Sequence, residues 1–181
     1  MRSTLKFLLS LVIALLLMLA FRALAFTIYT VDGEGLEPEF AAGDHVMVNR
    51  WSYGLRTGRS DGWFGYGRLC QQAVSRGDIV AYEDPRDSTH SRVLFGRICA
   101  LPGDTIRYKG QTDLVPSLSN CADADYYWMK ALNEQNPVDS RYLGYISEQF
   151  IIGRAFLVVY SHDMSQPFYK GYRKSRFFLQ K

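Results

Sequence analysis

Hydrophobic and polar positions divide the chain into two unequal parts. Residues 7–26 are an apolar run broken only by Ser10 and Arg22. At about 1.5 Å of rise per residue, such a run makes a helix of roughly 30 Å, the hydrocarbon thickness of a bilayer. No polar face exists between residues 7 and 21, which argues against a helix packed on one side of a soluble core. The pattern predicts a single transmembrane helix over 7–26. Arg2 and Lys6 before it set residues 1–6 on the cytoplasmic side and residues 27–181 outside. A cleaved leader is the competing reading, because Arg2 and Lys6 also form an n-region and Ala23-Leu24-Ala25 has the small-x-small form of a cleavage site. The length of the run and the intrusion of Arg22 favour a retained anchor.

After residue 26 the periodicity shortens. β-Branched and aromatic stretches at 27–31, 45–49, 78–82, 93–100, 105–108, 151–152 and 155–160 are separated by Gly, Pro and Asp turns, the signature of short antiparallel strands. One short helix is expected over 124–133. Residues 54–76 hold five glycines together with Trp63, Phe64 and Tyr66, and read as a long loop whose aromatics either pin it locally or touch lipid headgroups. The fold class expected is mainly β: one N-terminal transmembrane helix followed by a single antiparallel β domain.

Charge narrows the list of partners. The first 26 residues contain three basic and no acidic side chains, and Lys170, Arg173, Lys174, Arg176 and Lys181 crowd the last dozen positions without an acid. The body between them, residues 27–169, holds 13 basic and 18 acidic residues, a net charge of −5. An acidic body lacks the electrostatic footprint of a nucleic-acid binder, so no nucleic acid is expected. Three cysteines allow at most one internal disulfide: Cys70 and Cys121 are either bridged or free, and Cys99 reads as a small buried hydrophobe. Neither the cysteine spacing nor the scattered His45, His90 and His162 fits a metal site. No cofactor is expected.

Several short motifs then fall in a telling order. Gly43-Asp44-His45-Val46-Met47-Val48-Asn49-Arg50 is followed by Tyr53-Gly54-Leu55-Arg56, then by Arg76-Gly77-Asp78-Ile79-Val80. Next come Arg97-Ile98-Cys99-Ala100-Leu101-Pro102-Gly103-Asp104, Asp139-Ser140-Arg141-Tyr142-Leu143-Gly144 and Ile151-Ile152-Gly153-Arg154-Ala155. Behind Phe21-Arg22 at the end of the apolar run, this series resembles the ordered boxes of type I signal peptidases, the Ser/Lys-dyad leader peptidases of bacterial plasma membranes. The resemblance implies a single-pass protein of the bacterial inner membrane, with its N-terminus cytoplasmic and its β domain on the outer face.

In that family a serine hydroxyl attacks the scissile carbonyl, and a lysine kept neutral by an apolar pocket takes its proton. The matching positions here lack both groups. The nucleophile loop corresponds to Gly33-Glu34-Gly35-Leu36-Glu37-Pro38-Glu39, which places Gly35 at the serine. Gly33 stands at an accessory oxyanion position, Gly96 at the lysine, and Pro137 at the serine that orients it. The catalytic set is therefore expected to be empty, with the lysine pocket lost as well. Asp139 and Arg141 are expected to form an internal salt bridge. The peptide groove that the family builds from strands beside the nucleophile maps to Tyr29, Val31, Gly33, Gly35, Leu36, Val93, Phe95 and Gly96. Leu36 and Phe40 could instead fold inward and close it.

The expected role is a membrane-anchored pseudopeptidase, a binding or assembly subunit in protein export that meets signal peptides, an active signal peptidase or translocon components. Two alternatives stand beside it: an active serine endopeptidase using other residues, and a structural envelope protein. Replacement chemistry has two weak candidates, the carboxylates of Asp32, Glu34, Glu37 and Glu39, and the loop residues Ser88, His90 and Ser91. The simpler reading of both is a solvated polar turn.

Overall fold

In a computed structural model the backbone is described for all residues except 1, 32–38, 59–64, 88, 90, 91, 121, 133–137, 164, 168 and 181. Side-chain surroundings are further restricted to exclude 2–4, 20–24, 179 and 180. The apolar run forms α1 (Arg2–Ala25). Its side chains at residues 5–19 are all exposed, while Ala25 at its end is buried. Among the described residues, no helix is long and apolar enough to cross a membrane.

The chain then enters its sheet without a break. The strands are β1 (Phe26–Thr30), β2 (Asp44–Asn49), β3 (Leu55–Arg56), β4 (Arg68–Leu69), β5 (Ile79–Glu83), β6 (Val93–Ala100), β7 (Thr105–Tyr108) and β8 (Gln111–Leu114). After them come β9 (Tyr126–Lys130), the single-turn helix α2 (Ser140–Leu143), β10 (Ile146–Ser147), β11 (Ile151–Ser161) and β12 (Leu179–Gln180). Eight strands form one antiparallel sheet in the order β1-β2-β11-β5-β6-β9-β10, with β12 added to β11, while β3-β4 and β7-β8 are separate two-stranded ribbons.

The expected strands lie where β-branched and aromatic residues cluster, and β6 covers 93–100 as expected. Residues 151–152 and 155–160 are joined in the single long strand β11, whose register shifts three times against its neighbours. Gly153 sits in this irregular stretch, where a Cβ would collide with the backbone of Asn49. The expected helix over 124–133 is replaced by β9. Tyr126, Tyr127 and Trp128 prefer a pleated surface, and β9 finds a partner in β6 through the pairs Ile98–Met129 and Ala100–Trp128. The glycine-rich segment 54–76 carries the β3-β4 ribbon. There Arg68 donates from Nε to the Tyr66 hydroxyl at 2.8 Å, so Tyr66 pins the ribbon. Trp63 and Phe64 lie outside the described residues.

The sheet curls, so residues far apart in the strand order meet in shared clusters. One contains Val31, Phe40, Val46, Val48, Ile79 and Phe95, with Tyr29 and Val93 at its margin. A second contains Tyr53, Val80, Tyr82, Tyr127, Met129 and Ile151. Alternation along β5 explains the division, since Ile79 and Ala81 face the first cluster and Val80 and Tyr82 the second. Cys70 is an exposed free thiol and Cys99 a half-buried one, while Cys121 lies outside the described residues.

Candidate functional site

Gly96 is the one position of the expected catalytic set that the structure describes; Gly33, Gly35, Leu36 and Pro137 lie outside the described residues. Gly96 is buried in β6 opposite Val80 of β5. A Cβ built on it would stand 3.2 Å from the Tyr82 ring, 3.2 Å from the Lys130 carbonyl and 3.5 Å from the Met129 Cβ. It therefore points at the second cluster. The surroundings a side chain at 96 would enter are apolar, with Tyr82 and Met129 crowding them. A side chain there would be desolvated, the condition that lowers the pKa of a lysine. It would also be squeezed against a backbone carbonyl. The Tyr82 hydroxyl is buried and, among the described residues, finds no hydrogen-bond partner. Burial pushes the Tyr82 phenol well above its ordinary range, and the Asp139 and Asp84 carboxylates push it further.

Asp139 stands close by. It is fully buried, accepts a hydrogen bond from the Ala131 amide at 3.2 Å and caps α2 through the Arg141 amide at 2.9 Å. The Arg141 guanidinium pairs with it at 2.8 Å. The adjacent Ser140 hydroxyl accepts a hydrogen bond from the Met129 amide at 2.9 Å. Asp139, Ser140 and Arg141 thus fasten β9 to α2, and their polar atoms are committed to structure.

The described groove residues come together across the curl. Val31 and Phe95 are buried in the first cluster, with Tyr29 and Val93 packed beside them. Phe40 lies in the same cluster, edge-on to Phe95 with ring centroids 5.5 Å apart, so it fills the floor as expected of an inward fold. The backbone edges remain. Among the described residues, β1 pairs only with β2, and residues 93–96 of β6 pair only with β5, because β9 joins β6 from Arg97 onward. Among the described residues these are two unpaired strand edges.

Beside these edges lies a polar cavity of about 290 Å³ lined by Glu39, Gly77, Asp78, Ile79, Arg97 and Arg154. Its charges are already matched: Arg97 meets Glu39 at 2.6 Å and Arg154 meets Asp78 at 3.4 Å. Asp78 also accepts the Tyr53 hydroxyl at 2.8 Å. Glu39 is thus a structural partner of Arg97, whereas Asp32, Glu34 and Glu37 lie outside the described residues, as do Ser88, His90 and Ser91. Among the described residues the cavity lining contains no hydroxyl, thiol, amine or imidazole that could attack a carbonyl. Among the described residues no three ligating side chains gather as a metal site would require.

Sequence reading missed the tie that holds this region from behind. Arg176 donates to both oxygens of Asp44, at 2.6 Å for the shortest contact, and to the Glu39 carbonyl at 3.0 Å, while Arg173 donates to the Ala42 carbonyl at 2.9 Å. Burial alone would raise Asp44. Arg176, the Ser161 hydroxyl and the Ala41 amide outweigh it and hold the carboxyl below its ordinary range. The sequence showed the basic C-terminal run only as free of acids, and no local pattern links residues 132 positions apart.

The ordered corners complete the frame. At Leu101-Pro102-Gly103-Asp104 the Leu101 amide donates to Asp104 at 2.6 Å and Arg76 joins it at 2.7 Å, which keeps the Asp104 carboxyl low. An N-terminal helix, a curled antiparallel sheet and these corners frame the cleft. The chain belongs to the signal peptidase family, peptidase S26, whose model matches residues 4–115. It is 29% identical over 98 residues to signal peptidase I V of Bacillus subtilis strain 168, covering 54% of this chain and 46% of that one. It is 33% identical over 87 residues to mitochondrial inner membrane protease subunit 1 of Mus musculus, covering 48% and 51%. A longer match, 27% identical over 181 residues, joins it to signal peptidase I P of Bacillus subtilis subsp. natto, covering 85% and 88%. The first two matches span about half the length of those relatives.

Proposed function

We propose that this protein is a membrane-anchored, non-catalytic member of the signal peptidase family that holds an extended peptide without cutting it. The observation that carries this reading is Gly96. The residue at the base position has no side chain, and the space such a chain would enter is flanked by Tyr82, Met129 and a backbone carbonyl. Gly35 and Pro137, by the resemblance, complete the loss of nucleophile, base and base-orienting group. Strand addition needs main-chain groups rather than catalytic side chains, and the unpaired edges of β1 and of residues 93–96 supply them.

The anchor is part of the proposal. Residues 7–26 are apolar but for Ser10 and Arg22, the side chains at residues 5–19 are exposed, and the family match begins at residue 4, inside this helix. A single pass with the N-terminus cytoplasmic would set the cleft on the outer face of a bacterial plasma membrane, where signal peptides, an active signal peptidase or translocon components are within reach. Photo-crosslinking tests the groove, with the photoreactive residue at Thr30 or Val93 in the full chain in native membranes. Adducts to signal-peptide segments or to an export subunit are the expected result. Adducts confined to the chain itself would end the reading.

A further inference from the structure

The two sides of the large sheet are covered unequally. Over β1, β2 and β11 one side is filled by the first cluster, with Tyr29, Val46, Val48 and Val158 packed there. On the opposite side the second cluster covers β5, β6, β9 and the start of β11. The rows Ile28-Met47-Leu157 and Thr30-His45-Tyr160 cross β1, β2 and β11 on that side, and the cluster takes in none of them. Ile28 is 47% exposed, and Phe26, also exposed, meets Phe156 with ring centroids 6.0 Å apart. Phe26 is the first residue after α1. The apolar stripe therefore starts where the anchor of the previous section ends.

The basic C-terminal run returns to the same stripe. Tyr172 packs against Tyr160 with centroids 6.4 Å apart and against Phe177 at 6.3 Å. Arg173 and Arg176 turn inward to the segment 39–44. Lys170 and Lys174 stay exposed, and among the described residues neither meets an acid. The exposed rings of Tyr169, Tyr172 and Phe178 interleave with them. Charge on the bare side is one-sided too: its third row, Phe26-Asn49-Arg154, holds no acid, and neither do the other two.

We propose that the bare side of β1, β2 and β11 lies on the bilayer surface, with Lys170 and Lys174 against the phosphates of anionic lipids. The placement rests on the membrane-anchored reading above. The stripe of Phe26, Ile28, Met47 and Leu157 enters the boundary between headgroups and acyl chains. The tyrosines sit at headgroup level with their rings covered and their hydroxyls wet. The lysines add an attraction that a zwitterionic surface does not supply. Lipid is the occupant because the stripe begins one residue from the end of α1, where the bilayer already stands and a partner protein would first have to be brought.

The test uses the full chain in nanodiscs of phosphatidylcholine, with and without phosphatidylglycerol. Fluorotyrosine is placed singly at position 172 or, as a control, at exposed Tyr142 of α2. A lipid spin-labelled at its headgroup then broadens the fluorine signal of any site near the surface. Position 172 should broaden strongly with phosphatidylglycerol and several-fold less without it, while position 142 stays sharp. Lys170→Gln combined with Lys174→Gln should remove the dependence on phosphatidylglycerol. Ile28→Glu, checked for an unchanged melting curve, should reduce the broadening at 172 with either lipid. Co-elution of the chain with the discs reads the anchor separately. A chain that co-elutes but broadens equally at 172 and 142, or at neither, would overturn the surface and leave the anchored reading standing. Broadening at 172 that ignores both phosphatidylglycerol and the lysines would overturn the phosphate contact. A chain that does not co-elute would overturn the anchored reading and this placement with it.

Discussion

Asp44 and Tyr82 are both sealed from solvent, yet the protein treats them in opposite ways. Asp44 meets the Arg176 guanidinium through both oxygens and the Ala41 amide besides. Among the described residues the Tyr82 hydroxyl has no hydrogen-bond partner. Asp44 belongs to the frame that holds residues 39–44 beside the cleft, whereas Tyr82 faces Gly96, the proposed base position. A buried polar group without a partner costs about 1–3 kcal/mol. The Asp44 carboxylate is satisfied and, among the described residues, the Tyr82 hydroxyl is not.

Breaking the satisfied side should have the largest effect. Arg176→Ala leaves the Asp44 carboxylate buried without its countercharge and should destabilise the β domain by about 3–5 kcal/mol in chemical denaturation. A loss under about 1 kcal/mol would place Asp44 among ordinary surface pairs. The same pair gives a pH test. Because the folded Asp44 carboxyl titrates below its unfolded value, its contribution is complete above the unfolded value near pH 4. It declines as pH falls through the lower folded value. Wild-type melting temperature should therefore drop with acid below about pH 4, and Arg176→Ala should show a shallower drop over the same window.

On the unsatisfied side the effects are smaller and differ in sign. Gly96→Ala places a methyl group 3.2 Å from the Tyr82 ring and from the Lys130 carbonyl. The tight fit should cost about 1–2 kcal/mol by thermal or chemical unfolding. A neutral result would mean that the base pocket is open rather than occupied. Tyr82→Phe removes the orphan hydroxyl and should stabilise the protein by up to about 1 kcal/mol. Destabilisation instead would reveal a partner for that hydroxyl and weaken the contrast with Asp44.

Much of this contrast was legible in the chain, though unevenly. Strands such as β6 announced themselves because Val93, Leu94, Phe95 and Ile98 form a β-branched and aromatic run between turns. The same signal was overruled at 124–133, where Ala124, Met129, Lys130, Ala131 and Leu132 have helical preferences. The pairing of Tyr127 and Trp128 with their neighbours decided for β9. Two-residue strands such as β3, β4 and β10 are too short to carry a period. At the candidate site the ordered boxes brought Gly96 and Asp139 to notice. The links that build the cleft's surroundings were silent: Tyr53 reaches Asp78 across 25 positions and Arg176 reaches Asp44 across 132. Such pairs are set by how the sheet curls, and no local spacing records that.

Turnover is the measurement that bears most directly on the central claim. The full chain in nanodiscs, incubated with a signal-peptide-bearing preprotein and followed by mass spectrometry, should give no cleavage above a protein-free blank at any pH from 5 to 9. Defined cleavage at a signal-peptide junction, proportional to the amount of protein added, would contradict the account and show that a nucleophile and base operate in this cleft.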